Sequence, residues 1–409
     1  MQSLQAICET PGSLFDHSDE ELLHLVHKEF PEEIDRLQRA DSIRDGPWTP
    51  PNTPSPSYIL YKKDYDEVNR TLVGILALRW IHTGQYEAFI ASQPADAKLT
   101  RASFNWIRAY YTQIISDRTS LFTLVTLIII HDLGKDPKLA SDCRAQTGVD
   151  ISTLNHDAVL LEACKASLIP NLALLPDQDR VEALRGIELG ATFSFGQLAQ
   201  AENVAGAAGN IDWSCAKKLI QPIFDSYRNV YDACEGIIAG TLTVRSGYDL
   251  VLSRRAELLR DQNVRVYHVE DVLEDRALMR LLCMGNVTMA DEAFLYEGAW
   301  QALEDPIRET LVRGLNLDGK RSEPAVQPTY MPAILGHVKD ENALVCTFRY
   351  LAQILSATEV GDPVAVVIER SVYTVLKQVI ESKEFKKDPS ILEVVDLPAG
   401  VVILTTASL

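Results

Sequence analysis

The sequence contains no segment long and apolar enough to cross a bilayer. Its most apolar run, LFTLVTLIII at residues 121–130, holds ten uncharged residues, about half of the ~20 that a span requires. A buried core helix is the expected form. Cysteine motifs are also lacking. The seven cysteines are scattered, odd in number and include no C-x-x-C pair, a pattern that suits reduced, mostly buried thiols in a reducing compartment. Basic residues are in deficit, 39 against 57 acidic, for a net charge of −18. Such a surface argues against broad binding to nucleic acid or to an anionic membrane, while leaving room for a local basic groove. The first residues, MQSLQAICETPGSLFD, have no basic stretch followed by an apolar one, so no secretory leader is expected and a cytoplasmic location is the default.

What is present is the composition of a globular protein. The apolar fraction of 46% and the charged fraction of 23% over 409 residues allow a sizeable core and two or three average domains. Residues 18–29 open with Ser18 and Glu21 in capping-box spacing and read as an amphipathic helix. Pro31 either ends that helix or starts the next turn. His24 and His27 are three apart and share a face, as metal ligands or simply as surface histidines. Residues 46–57, GPWTPPNTPSPS, carry five prolines and read as a linker or surface strap. Helical periodicity then dominates, with pieces at 66–82, 102–116, 121–132, 158–168, 179–190 and 217–240. Strand patterns are absent up to about residue 284. They enter late, at 363–368, 391–395 and 401–406, with helical text at 371–382 and a turn at 398–400. The expected organisation is an N-terminal helix and proline strap (1–57), a helical core (58–300) and a C-terminal helical region with short strands (301–409).

Chemistry concentrates where the apolar run stops. His131 and Asp132 follow it directly, then Gly134, placed where a left-handed helix cap would fall, and Lys135. A helix C-terminus carries partial negative charge and favours a cation. An imidazole with a carboxylate there suits Mn, Fe, Co, Zn or, with more carboxylates, Mg. A second pair, His156–Asp157, begins a helix with Asn155 as its N-cap. Either pair can instead be a plain capping arrangement. Glu188, Gln197, Gln200 and Glu202 are polar residues among small apolar ones, and either line a pocket or occupy exposed helix positions. Arg245, Arg254, Arg255, Arg260 and Arg265 make the densest basic stretch. With Asp249, Glu257 and Asp261 interleaved, it reads first as an ion-paired helix face and second as a phosphate-binding groove.

The apolar helix running into HDLGK, followed by a helix-opening histidine, resembles the HD-domain superfamily of metal-dependent phosphohydrolases. The resemblance covers about residues 101–239. It implies a mainly α fold, an HD-like helical bundle, here with an N-terminal arm and a small α+β C-terminal appendage. It also implies a divalent metal on His131, Asp132 and His156, completed by Asp225 or Asp232, with Lys135 neutralising charge and Asp157 nearby. A further histidine is expected on the helix at 102–116, which has none; His82 is the only earlier candidate in the core. The implied activity is hydrolysis or rearrangement of a phosphorylated or oxygen-rich small molecule.

The chain as a whole is also similar to the fungal arginine-containing cyclodipeptide synthases of secondary metabolism. That likeness implies condensation of amino acids, one of them arginine, from aminoacyl-tRNAs. Glu188 or Glu202 would then transfer protons, and Arg245, Arg254 and Arg255 would contact tRNA. The third possibility is a metal-free helical scaffold protein.

Overall fold

A computed structural model describes residues 4–8, 13–40, 51–114, 120–148, 156–175, 204–317, 325–327, 335–336, 338–357, 365–368, 379–395 and 401–404. The fold is mainly helical, as the periodicity predicts. It divides into two compact units, residues 1–228 and 229–409. The expected boundary at 57 falls inside the first unit and that at 300 inside the second.

Unit 1 contains α1 (Leu4–Cys8), α2 (Asp19–Glu29), α3 (Pro31–Leu37), α4 (Pro56–Tyr61), α5 (Asp66–Thr83), α6 (Tyr86–Phe89), α7 (Arg101–Ile114), α8 (Ser120–Ile130), α9 (Pro137–Thr147) and α10 (His156–Lys165). The capping box of α2 forms as its spacing requires, with the Ser18 hydroxyl accepting from the Glu21 N–H and the Glu21 carboxylate accepting from the Ser18 N–H. Pro31 sits in the first turn of α3, where its missing N–H costs nothing. Two helices form the centre. On α5, residues from Val68 to Ile81 are buried on nearly every side, and on α8 every residue from Leu121 to Ile130 is buried. A helix that is apolar all round has to sit inside the core. The helices before residue 57 join the same core through Leu22, Val26, Phe30 and Ile34.

Two buried joints hold the periphery to α5. The end of the proline segment is pinned, because the Ser57 N–H donates to Asn69 Oδ1 at 2.8 Å and the Ser57 hydroxyl accepts from the Tyr65 N–H at 2.9 Å. The AGAAGN stretch at 205–210, a short turn in the sequence, has a steric reason for its glycines. A Cβ on Gly206 would lie 2.3 Å from the Arg70 carbonyl oxygen and 2.8 Å from the Gly74 nitrogen, and one on Gly209 would lie 2.6 Å from the Asn69 carbonyl oxygen. Two backbones meet there with no room for a methyl group.

Unit 2 takes the C-terminal part of α11 (Gln221–Ile238), within which the division falls. It continues with α12 (Val244–Arg260), α13 (Leu273–Met284), α14 (Ala290–Gln301), α15 (Asp305–Leu315), α16 (Glu341–Ala357) and α17 (Lys383–Lys387). Its core gathers Leu282, Trp300, Leu311, Phe348 and Leu351. A three-stranded sheet runs in the order β1 (Ala325–Gln327), β2 (Ala365–Ile368), β3 (Val401–Leu404), with β1 parallel and β3 antiparallel to β2.

Two expectations are corrected. Residues 391–395 are not a strand: Pro389–Val394 is a 3-10 helix capped by the Asp388 carboxylate, which accepts from the Ser390 N–H. Gly134 is not a left-handed cap, since positive φ among the described glycines is confined to Gly84, Gly148 and Gly240. The apolar helix ends at Ile130 and turns at His131–Asp132 into a 3-10 helix, Leu133–Lys135. The expected helix at 179–190, Asn155 as a cap, residues 46–50, 371–378 and the turn at 398–400 lie outside the described residues.

Replacing Gly206 with alanine should destabilise unit 1 by about 1–3 kcal/mol, because the new methyl group meets backbone that cannot swing aside. Urea denaturation followed by circular dichroism checks this; an unchanged midpoint contradicts the close packing of 204–210 on α5.

Candidate functional site

The HDLGKDP stretch is a joint between two helices, and each residue has a structural task. Leu133 and Gly134 are buried in the 3-10 turn, and α10, which begins at His156, packs against that turn. Asp136 then caps α9, its carboxylate accepting from the Lys138 N–H at 2.9 Å, and Pro137 takes the first helical position. The same carboxylate receives Arg36 at 3.2 Å and Arg39 at 3.1 Å, tying α3 to the joint. These contacts fix the backbone that carries His131, Asp132 and Lys135.

The side chains converge on a partner that sequence reading missed. Lys135 Nζ lies 2.7 Å from Asp132 Oδ1 and 2.9 Å from Glu67 Oε2, 68 residues earlier on the first turn of α5. The other Glu67 oxygen accepts from Arg70 at 3.0 Å, and Glu67 is only 1% exposed. His131 Nδ1 stands 3.3 Å from the same Asp132 oxygen that Lys135 holds. The imidazole is the most open member, with 35% of its side chain exposed against 22% for Lys135 and 18% for Asp132. The sequence offered one cue to Glu67, an acid that opens a helix whose residues from Leu72 to Leu78 are all apolar. It reads equally well as an ordinary first-turn acid.

Electrostatics separate the two carboxyls. For Asp132, burial acts to raise the pKa, but the hydrogen bond from His131 and the Lys135 charge outweigh it and hold the group well below the usual carboxylate range. For Glu67, burial dominates and, with the Asp132 charge, lifts it above its ordinary value despite Lys135 and Arg70. Asp132 is thus the more acidic of the two carboxyls.

The remaining expected residues go elsewhere. The side chains of His156 and Asp157, and Glu188, Gln197, Gln200 and Glu202 entirely, lie outside the described residues. Asp225 is exposed and accepts from Gln221 at 2.7 Å on its own helix, and Asp232 pairs with Arg254 at 2.9 Å. The His82 ring packs on Phe15 and Tyr111, at 4.7 and 5.9 Å between centroids, and burial lowers its pKa. His24 is exposed, and His27 meets Tyr61 edge-on. Among the described residues no group of three or more His, Cys, Asp or Glu is placed to hold a metal ion. The space between Glu67 and Asp132 holds the Lys135 ammonium, and the Asp132 oxygen it binds is the one that faces His131 Nδ1. The described residues therefore do not fit the metal that the resemblance implies.

In unit 2 much of the basic stretch is paired within the unit, although Arg260 and Arg265 are exposed. Arg245 bonds Asp249 at 3.1 Å and the Asn316 carbonyl at 2.9 Å, while Arg276 and Arg280 reach the Leu315 carbonyl. Three cations thus cap the C-terminus of α15, the end that favours positive charge. Arg255 donates to the Val287 carbonyl at 3.3 Å, and Arg265 pairs with Asp275 and Glu297. A groove of about 700 Å³ beside this cap is lined by Arg245, Glu274, Asp305, Arg308, Glu309 and Arg313, so its walls carry both signs.

Residues 23–205 and 203–392 both match a family of unknown function, DUF6829. The chain belongs to that family. No curated protein and no solved structure matches it. No helix among the described residues of this DUF6829 member is long and apolar enough to cross a membrane.

Asp132→Asn tests the electrostatics. Because the folded carboxyl lies below its unfolded value, its stabilisation is present above the unfolded pKa and fades as pH falls. The variant should lose about 2–4 kcal/mol near pH 7, leaving Lys135 without its nearer partner. The gap to the natural protein should narrow below about pH 4 as unfolded carboxylates protonate. Urea titrations at both pH values check this, and a pH-independent gap contradicts it.

Proposed function

We propose that unit 1 of this protein carries an acid–base site at the end of α8, acting on an oxygen-rich small molecule by hydrolysis or rearrangement on an HD-like helical scaffold. In this reading His131 moves the proton and Asp132 is the residue that positions it. A base whose partner fixes one ring nitrogen is the arrangement that general acid–base catalysis uses. The single observation that carries the reading is the placement of a partly open imidazole against a firmly ionised, mostly enclosed carboxylate, on backbone fixed by a buried helix and a capped joint.

The charges guide the choice of substrate. Glu67 and Asp132 are balanced by Lys135 and Arg70, so the cluster offers little net positive charge to a polyphosphate. A substrate of low charge, such as a phosphodiester or a carboxylic ester, suits it better than a nucleoside triphosphate. The aminoacyl-tRNA reading draws on Arg245, Arg254 and Arg255, and the partners each of these holds within unit 2 give it no comparable support.

A panel of phosphomonoesters, phosphodiesters and carboxylic esters, assayed with and without added manganese, is the direct test. Turnover of at least one class is expected, falling about 10²–10⁴-fold in His131→Ala with the circular dichroism spectrum unchanged. An inert panel, or a variant as active as the natural protein, contradicts the reading and leaves the helical scaffold role.

A further inference from the structure

We infer that Lys135 is the resident cation of the His131–Asp132 site: its ammonium fills the space between Glu67 and Asp132 and excludes a divalent ion from it. This inference does not depend on the reaction proposed above. It starts from a geometry that a chelated ion and an ammonium group share, a positive centre between two carboxylates with an imidazole beside one of them. Lys135 Nζ lies 2.7 Å from Asp132 Oδ1 and 2.9 Å from Glu67 Oε2. Those are hydrogen-bond distances; bonds from zinc or magnesium to carboxylate oxygen are about 2.0–2.2 Å. A metal replacing the ammonium would have to draw each oxygen inward by more than about half an ångström.

The oxygens are not at liberty to close. Glu67 is held from its other side by Arg70 at 3.0 Å, within a first turn buried against the core. Asp132 and Lys135 bracket a 3-10 turn whose Leu133 and Gly134 are buried, and the Asp136 cap fixes the turn at its far end. The lysine stem cannot withdraw without leaving Glu67 and Asp132 across a vacated gap with no cation between them. A divalent ion entering while the lysine stays would meet a like charge at contact distance. Chain connectivity thus supplies a cation at no binding cost, in a site that otherwise has the donor types of a metal centre.

Removing the lysine side chain beyond Cβ leaves a space that n-propylammonium matches atom for atom. Lys135→Ala should melt lower by on the order of 10 °C. Millimolar n-propylammonium should restore at least half of that drop, whereas choline or manganese chloride at equal ionic strength should not. The natural protein should respond to none of these and, by elemental analysis after expression with manganese, zinc or cobalt, should hold less than stoichiometric metal.

Stoichiometric metal in the natural protein that disappears in Asp132→Asn overturns the inference. So does a Lys135→Ala protein that melts like the natural one, or one that n-propylammonium fails to rescue. Should Lys135→Ala fail to fold, Lys135→Arg, which keeps the charge, is expected to fold and remain metal-free. A Lys135→Arg protein that takes up metal overturns the inference as well.

Discussion

Unit 1 depends on one ammonium group held between two carboxylates. Lys135 leaves the joint after α8, reaches Glu67 on α5, and closes on Asp132 within its own turn. None of these groups would be tolerable alone in that position, since an unpaired buried charge costs several kcal/mol even after relaxation. Together with Arg70 they neutralise one another and connect the two most deeply buried helices of the unit. The joint is secured a second time by Asp136, which caps α9 while accepting two arginines from α3 and the turn that follows it. Among His131, Asp132, Lys135 and Glu67 the imidazole is the most exposed to solvent, so rigidity beneath and access above meet at one side chain.

The same network explains what could and could not be read beforehand. Local signals were legible because they are local: the capping box at Ser18, the proline opening α3, the all-apolar α8, the abrupt arrival of His131 and Asp132. Glu67 was not, because its meaning lies 68 residues away and an acid in a first helical turn needs no further explanation. Residues 391–395 have strand composition, yet Asp388 and Pro389 begin a 3-10 turn that overrides it. Gly134 looked like a cap by spacing alone; it lies buried inside a 3-10 turn and has no positive φ. The short strand Ala325–Gln327 gave no pattern to detect, since three residues are too few for periodicity.

Unit 2 shows why a count of charges is a poor guide to partners. Its arginine-rich helix α12 looks basic in sequence, but Arg245, Arg254 and Arg255 are spent on Asp249, Asp232 and on carbonyls at Val287 and Asn316, and of its four arginines Arg260 stays exposed. Each such bond gives a backbone oxygen or a carboxylate a partner within the unit. The family assignment extends across both units, from residue 23 to residue 392. The His131 joint of unit 1 and the arginine-capped α15 of unit 2 therefore both lie within it.

The central claim is that Lys135 and Glu67 are coupled through a direct, largely enclosed ion pair. A double-mutant cycle with Glu67→Gln, Lys135→Met and the combined variant, followed by urea denaturation at neutral pH, measures that coupling. An interaction free energy of about 2 kcal/mol or more is predicted, with the double variant more stable than the sum of the single losses implies. Losses that add to within about 0.5 kcal/mol would contradict the account.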